Sequence, residues 1–504
     1  SLFPFILTSI YLFLSFSPPE QTGSIGLVRA AGLSRLQSWV SGRKAIALNT
    51  EHGQPLISLR YRGVKKCSSK NRASRVALSV STICCNLTPL HWFVGFTHSD
   101  ICVGTILALQ MVPLINTATE TLLRNLKSHA ESGNSFNIHK CFGCFTMDVI
   151  ASVAFGTQVD SQNNPDDPFV HHASKFFAFT FFKPLMIFFM AFPFVLQPLA
   201  GLLPNKSRDE MNSFFIQCIQ KMIKQRDDLP PEQRRRDFLQ LMLDVRASSK
   251  YLSLEHFDVV NDADEQACTE QGMDNGQENG PGNESTKRAQ QKRMMTEDEI
   301  VGQSFIFLLA GHETSSNTLA FACYLLALHP EFQKKLQEEV DEFFSRHETA
   351  DYSNVQELKY LDMVICETLR LYPPAFRVAR DVDQDTMVNG QLLPKGSSLE
   401  IPAGYLHYNP EHWTEPEKFI PERFTPEAKA SRHPFVYLPF GAGPRSCVGM
   451  RLAQLEIKMA LLHIFRRFDM MACEDTEVPL ESHTTLGPKN GILVKIINRE
   501  NFES

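Results

Sequence analysis

Beyond Met111, apolar positions recur at helical spacing along most of the chain. The run MVPLINTATETLLRNL puts Val112, Ile115, Thr119, Leu122, Leu123 and Leu126 on one face, which predicts a helix packed on one side. CFGCFTMDVIASVAFG is apolar nearly all round and reads as a buried helix closed by Gly156. Asn205 to Arg246 is polar and helical, with RRRDFLQLMLD its clearest part, and Arg234 to Arg236 read there as a solvated helix face. Thr296 and Glu299 form a capping-box pattern, and the apolar sequence behind them runs to about Leu328, a helix of about 50 Å at about 1.5 Å per residue. A helix so long and so apolar belongs at the centre of a fold. YLDMVICETLRLY gives another helix that stops at Pro373, and Leu452, Leu455, Met459, Leu462 and Phe465 mark one more. Short strands are expected around DTMVNGQLLPKGSSLEIP and GILVKI, so the fold class is mainly α with small β-sheets.

The pattern breaks in four places. Leu2 to Phe16 is apolar but interrupted by Pro4 and followed by Pro18 and Pro19, and it is short for a span of about 20 residues. Residues 1–19 are read as a truncated membrane anchor with its hinge, a signal-peptide remnant being the competing reading. Residues 20–110 hold no sustained period and stay unassigned, as a mispredicted exon would. From Phe176 to Leu203 phenylalanines crowd around one charge, Lys183, while prolines 184, 193 and 198 interrupt any span. Short helices dipping into a membrane surface fit better there, with plain core helices as the alternative. Between Glu255 and Glu284 stand nine acidic residues and no Lys or Arg. Residues 261–293 are therefore expected to form a disordered loop within one domain of 111–500.

The 504 residues, 43% of them hydrophobic, suffice for a large core. A net charge of −6 and the lack of a basic stripe give no reason to expect nucleic acid as a partner. Twelve cysteines lie scattered without a framework, which fits a reducing compartment. Cys141 and Cys144 form C-x-x-C without the following His or second pair that covalent haem or zinc would need, so they read as buried thiols.

One cysteine differs. Cys447 sits in FGAGPRSCVG, just ahead of a helical run, where unpaired N–H groups and the helix dipole favour a thiolate and Arg445 adds charge. Glycines 441, 443 and 449 let the backbone approach the sulfur. In the long central helix, Ala310-Gly311-His312-Glu313-Thr314-Ser315 interrupts the apolar run; Gly311 permits close approach, Thr314 can bond back to a carbonyl, and His312 reads as a satisfied helix side chain. Glu367 and Arg370 share a helix face and can pair, and Arg423 follows in PERF.

Phe440, Gly443, Arg445, Cys447 and Gly449 fill every fixed position of F-x-x-G-x-R-x-C-x-G, and the chain resembles the cytochrome P-450 family. The resemblance implies a single haem-thiolate domain with haem b, its iron held by Cys447 and its propionates met by Arg445 and by Arg377 of PPAFRVARD. It further implies that Ala310, Glu313 and Thr314 lie over the open haem face, that Glu367, Arg370 and Arg423 form a buried network fixing the cysteine loop, and that Ala375 and Phe376 line a pocket for a lipophilic substrate. Trp39 and Arg43 spell the family's W-x-x-x-R but lie far ahead of Met111, and Phe96 takes the Arg position after Trp92, so these matches read as chance. The implied location is the endoplasmic reticulum membrane, with the catalytic domain in the cytosol. Stretches such as MDVIASVAFGTQVDS and LGPKNGILVKI resemble an isomerase branch of the family that opens the endoperoxide of prostaglandin H2 without NADPH or O2. Thr314 departs from that branch, which carries a bulky apolar residue there. A monooxygenase fed by an NADPH-cytochrome reductase is the alternative, and a non-functional fragment that does not hold haem is the second.

Overall fold

The computed structural model describes residues 58–61, 101–164, 166–177, 206–247, 295–478 and 487–499. The chain divides into two compact units: among the described residues the smaller holds 58–61 and 377–401, the larger the remainder. In chain order the elements are β1 (Ser58–Tyr61), α1 (Ile101–Ser132), β2 (Phe136–Asn137), α2 (Ile138–Phe155), α3 (Pro168–Phe177), α4 (Lys206–Asp227) and α5 (Phe238–Ala247). Then come α6 (Glu297–Leu328), α7 (Pro330–Arg346), α8 (Lys359–Leu371), β3 (Val378–Asp381), β4 (Thr386–Val388), β5 (Gln391–Leu393) and β6 (Ser397–Ile401). α9 (Ala403–Tyr408), α10 (Pro426–Ala430), α11 (Met450–Arg467), β7 (Phe468–Met471) and β8 (Leu493–Asn498) complete the chain.

The larger unit is built on α6. Its start is the expected capping box: Thr296 Oγ1 accepts the Glu299 N–H at 3.3 Å, and Glu299 Oε2 accepts the Thr296 N–H at 3.0 Å. From Ser315 to Ala327 every residue is buried, so this half is wrapped on all sides. One apolar cluster joins it to α1, α7, α8 and α11; a second joins its first half to α2, α3, α4 and α5. The six α1 positions expected to share a face are all buried, and the helix begins at Ile101, ahead of the periodic run. α2 is capped by the Asn137 side chain and closed by Gly156 at φ 61°, where a left-handed residue ends the helix. By length and composition α2 could cross a membrane, yet it is mostly buried within the protein and packs along α6 as a core helix.

Arg234 to Arg236 do not form a helix face. They follow a short 3-10 turn between α4 and α5, because Asp237 caps α5 through the Gln240 N–H and binds Arg226 at 2.7 Å, which fixes the connection as a loop. Arg234 donates to the Leu229 and Asp227 carbonyls. β2, β8 and β7 make an antiparallel sheet at the end of this unit.

In the smaller unit β1, β6 and β3 form an antiparallel sheet, with Ser58 opposite Glu400 and Val378 opposite Ile401. β1 falls within 20–110, where the pattern predicts no strand; it is held by backbone pairing. β4 and β5 form a hairpin whose turn puts Asn389 at φ 48° and Gly390 at φ 77°, the Asn-Gly signature of a two-residue hairpin turn. The apolar run at 2–16, Trp39, Arg43, Trp92, most of the phenylalanine-rich stretch and the acidic loop lie outside the described residues.

Candidate functional site

Phe440 to Gly449 is a closed loop. The Cys447 N–H donates to the Phe440 carbonyl at 2.8 Å, the Ser446 N–H to Gly443 at 2.9 Å, and the Gly441 N–H to Leu438 at 3.2 Å. Gly441 and Gly443 sit at φ 74° and 73°, where a side chain would be strained. A β-carbon at Gly443 or Gly449 would meet nothing within 4 Å, so open space borders the loop. Phe440 packs against the core, Gly449 caps α11, and Arg445 and Cys447 are exposed to that space. The expectation of a favoured thiolate is not met by the polypeptide alone. The Cys447 thiol is pushed up, because surrounding protein desolvates it more than the Gly449 N–H bond to the sulfur lowers it. The residue is exposed at its surface and yet partly desolvated by the protein around it. An iron cation is the kind of charge that would bring the sulfur to its anionic form.

α6 also has an open stretch. In the middle of this core helix Ala310 and Thr314, one turn apart, are exposed, while Leu308, Leu309 and Ser315 are buried. Thr314 Oγ1 donates to the Ala310 carbonyl at 2.8 Å, as expected. Gly311 serves a different approach: a β-carbon there would stand 2.7 Å from Ile150 Cδ1, so this glycine lets α2 and α6 close on each other. His312 points away from that stretch against Gly143 of α2 and is not a satisfied side chain, since neither ring nitrogen has a hydrogen-bond partner. Burial and the neighbouring His139 push it down to about 3, which keeps it neutral. Burial raises the Glu313 carboxyl, and a hydrogen bond from Asn317 Nδ2 at 3.3 Å opposes that rise.

Glu367, Arg370 and Arg423 come together in a buried cluster. Glu367 and Arg370 are fully buried and paired through two bonds of 2.7 and 2.8 Å, and Arg423 Nε reaches Glu367 Oε1 at 3.3 Å. Glu367 also accepts the Ile420 N–H, and Arg370 donates to the carbonyls of His407 and Lys418. Two members are not evident in the sequence. His407 accepts the Leu438 N–H at 2.8 Å, tying the network to the foot of the cysteine loop, and Arg432 lies 3.9 Å from the Trp413 ring centroid while donating to the Arg423 carbonyl. His407 sits in the short helix α9 and Arg432 in an irregular segment, and neither stretch is long enough for a periodicity to point to it. His139 and Asn317 were also missed; Asn317 stands one turn after Glu313, a polar pair in an apolar helix that could have marked it. Phe376 fills the space a β-carbon at Gly404 would need, and Ala375 beside it is exposed. In the smaller unit, Arg377 pairs with Glu400 at 3.1 Å.

A model of the cytochrome P-450 family matches residues 96–268 and 280–496. The chain belongs to the cytochrome P-450 family. It is 50% identical over 393 residues to thromboxane-A synthase of Macaca fascicularis, covering 77% of this chain and 72% of that protein. Thromboxane-A synthase of Mus musculus is 50% identical over 394 residues, with the same coverage. Cytochrome P-450 3A13 of Mus musculus is more distant, 37% identical over 393 residues, 78% of this chain and 70% of that protein. This P-450 is thus an enzyme of a haem-thiolate family, and its residues fit the group. The cysteine loop borders open space that a β-carbon would enter without contact, and in the middle of a long apolar helix the exposed residues, Ala310 and Thr314, are small.

Proposed function

We propose that this P-450 isomerises prostaglandin H2 to thromboxane A2. The observation that carries the reading is 50% identity to thromboxane-A synthases over 77% of the chain, against 37% to cytochrome P-450 3A13. When bound, the haem supplies the iron at which the O–O bond of the endoperoxide opens. Cys447 would hold that iron through its sulfur, with the Gly449 N–H spreading part of the charge. Arg445, exposed beside it, carries the charge for a propionate; Arg377 keeps the same assignment, with Glu400 as its competitor. Glu367, Arg370 and Arg423 hold the segment that leads into the loop. Ala310 leaves room for a bulky apolar substrate, and Ala375 and Phe376 supply apolar surface. Isomerisation consumes no electrons and needs no proton from the protein.

A second reading rests on Glu313 and Thr314. A hydroxyl next to a carboxyl on the exposed stretch of α6 suits proton delivery, which a monooxygenase of fatty acids, steroids or drugs requires and an isomerase does not. An NADPH-cytochrome reductase would then be a partner, while the endoplasmic reticulum membrane is the proposed location under either reading, the phenylalanine-rich stretch supporting membrane contact. Incubation with prostaglandin H2, with and without NADPH and reductase, separates the two. Thromboxane formation without reductant supports the isomerase, and turnover that appears only with reductant sinks it.

A further inference from the structure

We infer that His139 and Asn317 are positioning residues that orient the Glu313 carboxyl beside the exposed stretch of α6. The inference rests on haem lying along that stretch. Asn317 Nδ2 donates to Glu313 Oε1 at 3.3 Å, which turns Oδ1 toward α2, where His139 Nε2 stands 2.7 Å away. An oxygen facing a ring nitrogen requires that nitrogen to carry the proton, so His139 donates from Nε2 and fixes which way the amide points. A β-carbon at Gly487 would stand 3.4 Å from Glu313 Oε1 and 3.5 Å from Asn317 Oδ1, ordinary contact distances, so the C-terminal segment packs beside the cluster. His139 is half-buried at the outer end, with Lys140 exposed beside it.

The orientation has a definite consequence. With nitrogen toward the carboxyl, Asn317 stabilises the carboxylate; with oxygen toward it, Asn317 stabilises the protonated acid. His139 therefore decides, through one amide, how readily Glu313 holds a proton. The other titratable group at the carboxyl is His312, whose Nδ1 lies 3.9 Å from Glu313 Oε2 and which stays neutral down to about pH 3. From α2, His139 and Lys140 are the basic groups on this side.

The test uses the haem-loaded, full-length protein with carbon monoxide on the reduced iron. Photolysis difference infrared spectra report the protonated carboxyl band of Glu313, assigned by its loss in Glu313→Gln, and its pH midpoint is followed. Asn317→Ala should move the midpoint up by about one unit, because the carboxylate loses its donor. His139→Ala should move it the same way, because the amide is free to turn, and His139→Gln, which restores a donor, should bring it back. A midpoint unmoved by His139→Ala overturns the inference, as does a wild-type spectrum identical to that of Glu313→Gln. Lack of the thiolate-type Soret band in the wild type overturns the haem reading and this inference with it, whereas its presence with an unmoved midpoint overturns the inference alone.

Discussion

At the scale of single residues, charge and burial decide which side chains the fold cannot lose. Glu367 accepts from Arg370, Arg423 and the Ile420 amide at no exposure to water. Glu367→Gln leaves Arg370 buried without a countercharge, which costs about 3–5 kcal/mol. A urea unfolding midpoint equal to the parent's would refute this, and the variant should also lose the thiolate-type Soret band, since the network reaches Leu438 through His407. Arg432→Lys keeps a charge but gives up the planar stack over Trp413, and a loss of about 1 kcal/mol is expected in the same measurement. Cys447→Ser is nearly isosteric and leaves the backbone hydrogen bonds that close the loop in place. Helical circular dichroism should therefore persist while the reduced, carbon monoxide-bound spectrum loses its thiolate signature. Glu367 and Arg370 were legible as a pair three residues apart on one helix, while Arg423 and Cys447 were picked out by the motifs that carry the family resemblance. His407 and Arg432 were not, since each acts through the backbone of a distant segment and leaves no local pattern.

Elements were read best where one face repeats. α1 and α11 contain their periodic runs because a buried face must recur at helical spacing, whereas α6, wrapped on all sides in its second half, is marked by its capping box and its length. β1 escaped notice because a four-residue strand is too short for a side-chain period to stand out from its surroundings. The contact of α2 with α6 was also hidden: Gly311 looked like a gap for a ligand, whereas Ile150 occupies the space beside it. Alanine at 311 would gain about 1 kcal/mol of helix propensity but place its β-carbon 2.7 Å from Ile150 Cδ1. Overpacking of this kind costs about 1–3 kcal/mol, so Gly311→Ala should be less stable than the parent by about 1 kcal/mol. Combined with Ile150→Ala the clash disappears, and a double-mutant cycle in urea should return a favourable coupling of at least about 0.5 kcal/mol. Strict additivity of the two changes would rule out the contact.

For the molecule as a whole, the burial of several histidines sets the response to acid. His407 and His463 are each pushed down to about 4, and His312 to about 3, in every case first by burial. Their composition gave no hint of this, because a histidine in the sequence looks the same whether it will face water or a core helix. In the unfolded chain each takes a proton near the ordinary value of 6.5, while in the folded protein each stays neutral to much lower pH. Between those limits the unfolded state binds more protons, so folding stability falls as pH falls, and it is fully present only above about 6.5. Each unit of pH in that window removes about 1.4 kcal/mol per histidine. His407 adds a specific weakness, since its Nε2 must stay unprotonated to accept the Leu438 N–H below the cysteine loop. The urea midpoint should therefore decline steeply from pH 6.5 to 5, and the thiolate-type Soret band should fade over the same range. In His407→Asn, whose amide oxygen can accept the same N–H without titrating, both curves should flatten. Parallel slopes for parent and variant would show that His407 does not contribute to acid sensitivity.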